Sequence, residues 1–228
     1  MSLFGGYALS STLQPVAGAL IWFDAANTPL GAVASWADKS GNGNNATQGT
    51  GANQPANTAN QQNGLPALVF NGSSDYLACT VNLPANFTIF HVVAPNRSVV
   101  GGGTVDFATT WGDDSHGYEL ELDNGFTGNS NLRFRCLGDG TILNNRLDNV
   151  EFSSFSSNIT LGAFHIVSCS RTGATTESAL NIGRQISSGV IYGQCTIGEI
   201  IIYPRALSVT EMIAVNTYLS QKWGIAIS

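Results

Sequence analysis

Two hydrophobic periods run through this chain, and they divide it unequally. Over most of its length apolar residues either alternate with polar ones or gather in short apolar runs, the signature of β-strands. Leu120 and Leu122 alternate with Glu119, Glu121 and Asp123, and Leu132, Phe134 and Cys136 alternate with Arg133 and Arg135, so each segment has one apolar and one charged face. Ala19–Asp24, Val33–Asp38, Pro66–Phe70, Tyr76–Thr80, Phe87–Val93, Ile159–Cys169, Ala179–Ile182 and Thr196–Tyr203 read as further strands, bounded by Gly-, Asn- and Ser-rich turns. The period lengthens only near the C-terminus, where Met212, Val215, Leu219 and Trp223 recur on one helical stripe. Ser208 and Glu211 form a capping box ahead of that stripe and Gly224 supplies a left-handed stop, so a helix starting at Ser208 is expected to lay the stripe on the sheet. Ile200, Ile201, Ile202 and Tyr203 are apolar on both strand faces, as for a strand covered on each side. The expected fold class is all-β, a two-sheet antiparallel jelly-roll sandwich with one C-terminal α-helix.

Length and composition sharpen this picture. The 228 residues contain no internal repeat and no linker, which predicts one domain over 19–228 preceded by an arm over 1–18. Leu3, Phe4, Tyr7, Leu9 and Leu13 make that arm too apolar to leave in water and too sparse for a core of its own, so it is expected to grip an edge or a neighbouring subunit. Ser40–Gly64 has almost nothing to bury and reads as a long surface loop. Charged residues are 11% of the chain, against about 25% in ordinary soluble proteins, and the net charge is −6. Nine scattered Lys and Arg form no patch for a phosphate backbone, which excludes nucleic acid as a partner. No run of about 18 apolar residues occurs, so no helical membrane insertion is expected, and the N-terminal MSLFGGYALSS lacks the basic and apolar regions of a secretory signal. Cys79, Cys136, Cys169 and Cys195 are widely spaced within apolar segments and read as buried free thiols.

Three motifs then carry a resemblance. W-x-D-x-S-G-N-G-x-x-A-T-Q at Trp36–Gln48, N-G-L-P-A-L-V-F-N-G-S-S-D-Y-L at Asn63–Leu77, and I-G-E-I-I-I-Y-P-R-A-L-S at Ile197–Ser208 occur in order, the last followed by a helix ending in K-W-G. Together, over residues 19–224, the chain resembles the laminin G-like, concanavalin A-like lectin/glucanase jelly-roll family, in the variant of bacterial and phage proteins. The resemblance implies the sandwich fold and leaves function open among sugar-binding modules, glycan hydrolases, adhesion domains and structural domains. Where such sequences often read F-D-G, this one has Phe70-Asn71-Gly72, which removes a carboxylate from any cation site placed there.

Candidate chemistry lies in three clusters. Glu119, Glu121 and Asp123 put three carboxylates on one strand face, about 6.5–7 Å apart along the strand, where a retaining glycosidase pair needs about 5–5.5 Å between carboxyl groups. Arg133 and Arg135 on the next strand supply cross-strand partners, so the acids read as a solvated ion-pair face. Trp111, Tyr118, Asp113 and Asp114 are the candidate carbohydrate contacts, the aromatics for stacking and the carboxylates for hydroxyl groups. Asp113, Asp114 and His116, read as one loop, would also suit a cation: calcium for the hard oxygens, a transition metal for Asp with His; no other cofactor is expected. Asp24, Asp38, Asp75 and Glu199 read as turn and backbone caps.

With no catalytic triad in view, the leading expectation is a non-enzymatic structural or adhesive protein, a phage virion component such as a capsid decoration, head-fibre or tail protein. Its partners would be other virion proteins or further copies of itself, in a homo-oligomer or lattice contact, and its location the virion, assembled in the host cytoplasm. The alternatives are a carbohydrate-binding lectin-like module facing a cell-surface glycan, secreted or on the cell surface, and a glycoside hydrolase.

Overall fold

The computed structural model describes residues 15, 17–96, 104–113, 116–123, 131–137, 141–152, 155–156, 159–173, 176–186 and 190–228; Leu3, Phe4, Tyr7, Leu9 and Leu13 of the arm lie outside them. In chain order the strands are β1 (Ile21–Asp24), β2 (Gly31–Ala32), β3 (Ser35–Trp36), β4 (Ala46–Thr47), β5 (Ala56–Gln62), β6 (Leu65–Asn71), β7 (Leu77–Leu83), β8 (Phe87–Pro95), β9 (Thr104–Asp113) and β10 (His116–Asp123). They continue as β11 (Asn131–Leu137), β12 (Thr141–Leu147), β13 (Val150–Phe152), β14 (Phe155–Ser156), β15 (His165–Thr172), β16 (Glu177–Ile182), β17 (Arg184–Ile186), β18 (Val190–Tyr192) and β19 (Gln194–Tyr203), before helix α1 (Val209–Trp223).

The result is the expected all-β sandwich. The first sheet runs β13-β12-β15-β8-β19-β6-β5-β2 with β1 beside β19, the second runs β14-β11-β10-β9-β16-β7-β4-β3, and β17–β18 form a separate hairpin. Phe23 of the first sheet stacks on Trp36 of the second at 5.2 Å, which marks the core between them. All nine residues of β8 are buried, as is β19 from Cys195 onward, because the second sheet covers one face of these strands and α1 the other.

Helix α1 forms as its sequence signals predict. Ser208 accepts the Glu211 N–H while the Glu211 carboxylate receives the Ser208 N–H, and Gly224 closes the helix at φ 64°. Met212, Val215, Leu219 and Trp223 are all buried. Trp223 stacks on Phe164 at 6.3 Å and presses against Gly198, where an added Cβ would stand 2.6 Å from the indole. Trp223→Ala is therefore expected to cost about 3–5 kcal/mol, read from urea unfolding; a loss below about 1 kcal/mol would contradict this placement.

Ser40–Gly64 is not one long loop. Its second half contains the seven-residue strand β5, ANTANQQ, paired with β6. Hydrophobic alternation is missing because β5 lies near the sheet edge and buries little beyond Asn57, whose amide donates to the carbonyls of Ala25 and Thr28. Its first half closes the free edge of β1: Ser40 Oγ, Asn42 Nδ2 and Asn44 Nδ2 all donate to the Leu20 carbonyl, at 3.0, 3.1 and 3.0 Å. Asp38 accepts from the N–H groups of Trp22, Ser40 and Asn44, so side chains stand in for a neighbouring strand. Strands β9 and β12 also go beyond the expectation, and the strand expected from Ile159 begins only at His165, after a turn through Gly162 at φ 77°.

Candidate functional site

The motif acids resolve into two kinds. Asp24, Asp38 and Asp75 cap backbone as expected: Asp24 accepts the Ala26 N–H, and Asp75 accepts the Asn71 N–H in a turn where Asn71 Oδ1 takes the N–H groups of Ser73, Ser74 and Asp75. Asn71 thus does turn work where the resembling sequences often have Asp. Glu199 is a different case and corrects the capping reading. Fully buried in β19, it accepts from Trp22 Nε1 at 2.6 Å, Tyr218 Oη at 2.8 Å, Trp223 Nε1 at 2.7 Å and Lys222 Nζ at 2.6 Å. Lys222 also reaches Asp24 at 2.8 Å, and Asp24 reaches Lys39 at 2.6 Å, so two acids and two lysines neutralise one another between sheet and helix. Burial and the neighbouring Glu199 push the Tyr218 phenol well up, which keeps it a donor. The signal was in the sequence: a lone Glu in an apolar strand requires a buried cation, and the K-W-G helix end supplies it.

A cleft of about 460 Å³ opens beside this cluster, its polar side formed by Lys39, Ser40 and Asn42 and its apolar side by Trp22, Pro15 and Ala17. Lys39 Nζ stands 4.0 Å from the Trp22 ring and Asn42 donates to the carbonyls of Ala19 and Leu20, so both are committed to the fold. Among the described residues no group of three metal-ligating side chains occurs. Cys79, Cys169 and Cys195 are buried and form no disulfide, and burial, with Asp38 adding, pushes the Cys79 thiol up to about 11, so it is no nucleophile at neutral pH.

The second sheet places the carbohydrate candidates. In β7, Leu77, Cys79, Val81 and Leu83 are buried while Thr80 and Asn82 are exposed, so the Thr80 face is the outer one. Pairing carries that face across the sheet: Thr80 opposes Ala179, Ala179 opposes Trp111, and Trp111 opposes Gly117. The adjacent row runs Asn181, Thr109, Glu119, Arg135, and Glu121 lies opposite Arg133. The register thus sets Glu119 and Glu121 against the arginines named as their partners. Tyr118 falls in the alternate set with Leu120 and Leu122, pairing with Thr110 and Cys136. Trp111 and Asp113 end β9 and His116 begins β10, with Asp113 opposite His116, so this stretch is the end of a strand pair and not the loop expected; Asp114 lies outside the described residues.

By sequence, no protein-family model and no curated protein matches the chain. Its structure is similar to Trypanosoma rangeli sialidase, with a TM-score of 0.55 at 18% identity, covering 91% of this chain and 33% of the sialidase. It is also similar to the receptor-binding domain of botulinum neurotoxin D, with a TM-score of 0.53, 11% identity and coverage of 90% and 53%, and to that of type G, with a TM-score of 0.51, 14% identity and coverage of 90% and 52%. The chain therefore spans about a third of the sialidase and half of the toxin domains, and at these identities the likeness shows the fold alone. It corrects one expectation. Solved structures sharing this fold include a sialidase, an enzyme, so the reading of a chain without enzymatic activity is overturned and withdrawn. What stands is an all-β sandwich shared with a sialidase and with receptor-binding domains.

Proposed function

We propose that this domain binds glycans on the outer face of its second sheet, with Trp111 as the stacking residue, in the manner of the concanavalin A-like sandwiches its motifs resemble. One observation carries the reading: the strand register sets Trp111 opposite Gly117 on one side and Ala179 on the other, the two smallest residue types. An aromatic residue at a position between small residues on an outer sheet face suits the apolar face of a sugar ring. Asp113 and His116 at the strand ends, and Thr109 and Glu119 in the next row, are the polar positions that the register sets nearest to Trp111. The low charge of the chain fits an uncharged, hydroxyl-rich ligand better than a polyanion. The similar structures add support in kind, one a sialidase solved with difluorosialic acid and the others receptor-binding domains. We extend the reading to adhesion, the domain holding its particle or cell to a glycan-coated surface.

Trp111→Ala tests the proposal on a glycan array and by titration with the best array ligand. The expected result is a loss of about tenfold or more in affinity with an unchanged thermal midpoint, since the position lies on the outer face. A wild-type protein that binds no arrayed glycan, or a variant that binds equally well, would overturn it.

A further inference from the structure

The walls of the cleft beside Trp22 select what it takes. At about 460 Å³ it is of a size that holds a ligand or several side chains. On the polar wall the side-chain donors are already engaged. Lys39 Nζ donates to Asp24 Oδ2 and to Asn27 Oδ1, both at 2.6 Å, and stands over the Trp22 ring. Ser40 Oγ has one hydrogen, with the Leu20 carbonyl and Asp38 Oδ2 both in reach, and Asn42 Nδ2 is held by the carbonyls of Ala19 and Leu20 at 3.1 Å. The other wall is apolar, made by Pro15, Ala17 and the half-buried Trp22, whose ring is fixed by its N–H bond to Glu199. A hydroxyl-rich ligand would meet side-chain donors that are spent, whereas an apolar group needs none.

The chain carries such a group next to the cleft. Its first charged residue is Asp24, so the segment before it is uncharged and suits a cleft whose cation, Lys39, is neutralised by Asp24. Fourteen residues precede Pro15, and Pro15 is itself part of the apolar wall. Leu13 is two residues from Pro15, within about 7 Å even in a fully extended chain. We propose that residues 9–14, which lie outside the described residues, dock in this cleft of their own chain with Leu13 against the Trp22 ring. Gln14 precedes a proline, which biases it to extended backbone, and in an extended chain residues two apart face the same way. Leu13 is thereby turned to the side that Pro15 gives to the cleft. So short a tether sets an effective concentration in the millimolar range, so at micromolar protein a chain's own arm outcompetes that of another copy. The docked arm covers Trp22 and Lys39 and keeps water from the Lys39–Asp24 pair at the rim of the buried cluster.

The test uses the full chain with leucine methyl groups labelled for NMR, the Leu13 signal being assigned by its loss in Leu13→Met. Nuclear Overhauser contacts are expected between the Leu13 methyl groups and the Trp22 ring protons, and they should be absent between differently labelled copies in a mixed sample. Limited chymotrypsin digestion gives a second readout. Cleavage after Leu9 should be about tenfold faster or more in Leu13→Asp than in wild type, and Leu13→Met, which keeps an apolar side chain, should cleave at the wild-type rate. Leu13 methyl groups at random-coil positions without contact to Trp22 would overturn the proposal. Contacts found only between differently labelled copies would overturn it in favour of a neighbouring subunit as the source of the arm. A cleavage rate that Leu13→Asp leaves unchanged would also overturn it.

Discussion

Glu199→Leu is expected to remove most or all of the stability of this domain. The carboxylate holds four donors at once: two indole N–H groups, a phenol and the Lys222 ammonium. Leucine would leave Lys222 with Asp24, an acid already shared with Lys39, and would leave the Trp22, Trp223 and Tyr218 donors without their acceptor. Breaking a buried ion pair by removing one partner costs about 3–5 kcal/mol, and each orphaned buried donor adds about 1–3 kcal/mol, so a loss of at least about 5 kcal/mol is expected. That equals the whole stability of many domains of this size. Urea unfolding followed by tryptophan fluorescence reads it directly. Lys222→Met combined with Glu199→Leu should recover part of the loss, since removing both charges leaves no uncompensated ion between sheet and helix. A Glu199→Leu protein within about 1 kcal/mol of wild type would show that the cluster is not what fastens α1.

The second large effect is expected from acid. His91 sits in the middle of β8, fully buried, with Val167 and Ile200 as its strand partners and, among the described residues, no hydrogen-bond partner for either ring nitrogen. Burial lowers its pKa from 6.5 to about 3. The unfolded chain therefore binds a proton below pH 6.5 that the folded chain refuses until about pH 3, and stability falls as pH drops through that window. At 1.36 kcal/mol per pH unit the full loss is about 5 kcal/mol. Other groups titrate over the same range, so the measurement is the difference between wild type and His91→Leu in urea midpoints from pH 7 to pH 4. The variant should lose less stability on acidification. It should also match or exceed wild type at pH 7, because an apolar side chain replaces an imidazole that has no partner. An identical pH slope in both proteins would show that His91 is not the group responsible.

The two effects differ in how much of each was visible beforehand. His91 lies in FTIFHVV, a run apolar on both faces that reads as a central strand with a hydrogen-bonded buried histidine; the structure buries it but corrects the hydrogen bond, since neither ring nitrogen has a partner among the described residues. Glu199 occupies an equally apolar run, yet its role was missed, because its donors come from β1, 177 residues away, and from the last turn of α1. Asn57 and the Ser40, Asn42 and Asn44 ladder were missed for the same reason. Their partners are backbone carbonyls of distant segments, and polar residues that bond to backbone leave no hydrophobic period to read.

At the candidate site the types of residue were legible and their arrangement was not. Trp111 and Tyr118 both looked like sugar platforms, and each lies in a strand. Only the pairing of β9 with β10 and β16 separates them, Trp111 in the outer row between Gly117 and Ala179, Tyr118 in the alternate set.

By itself the sequence determined whatever depends on neighbours along the chain. It determined the two-residue period that makes a two-faced strand, the stripe and capping box that begin α1 at Ser208, the glycine that ends it, and hence the all-β class with a single helix. The tertiary structure alone decided which strands lie side by side, and through that which acid meets which lysine, which carbonyl receives which amide, and which aromatic residues share a face. Local patterns report which face of an element is buried; they are silent on its partner, since any apolar face satisfies any other until packing and hydrogen-bond geometry select one.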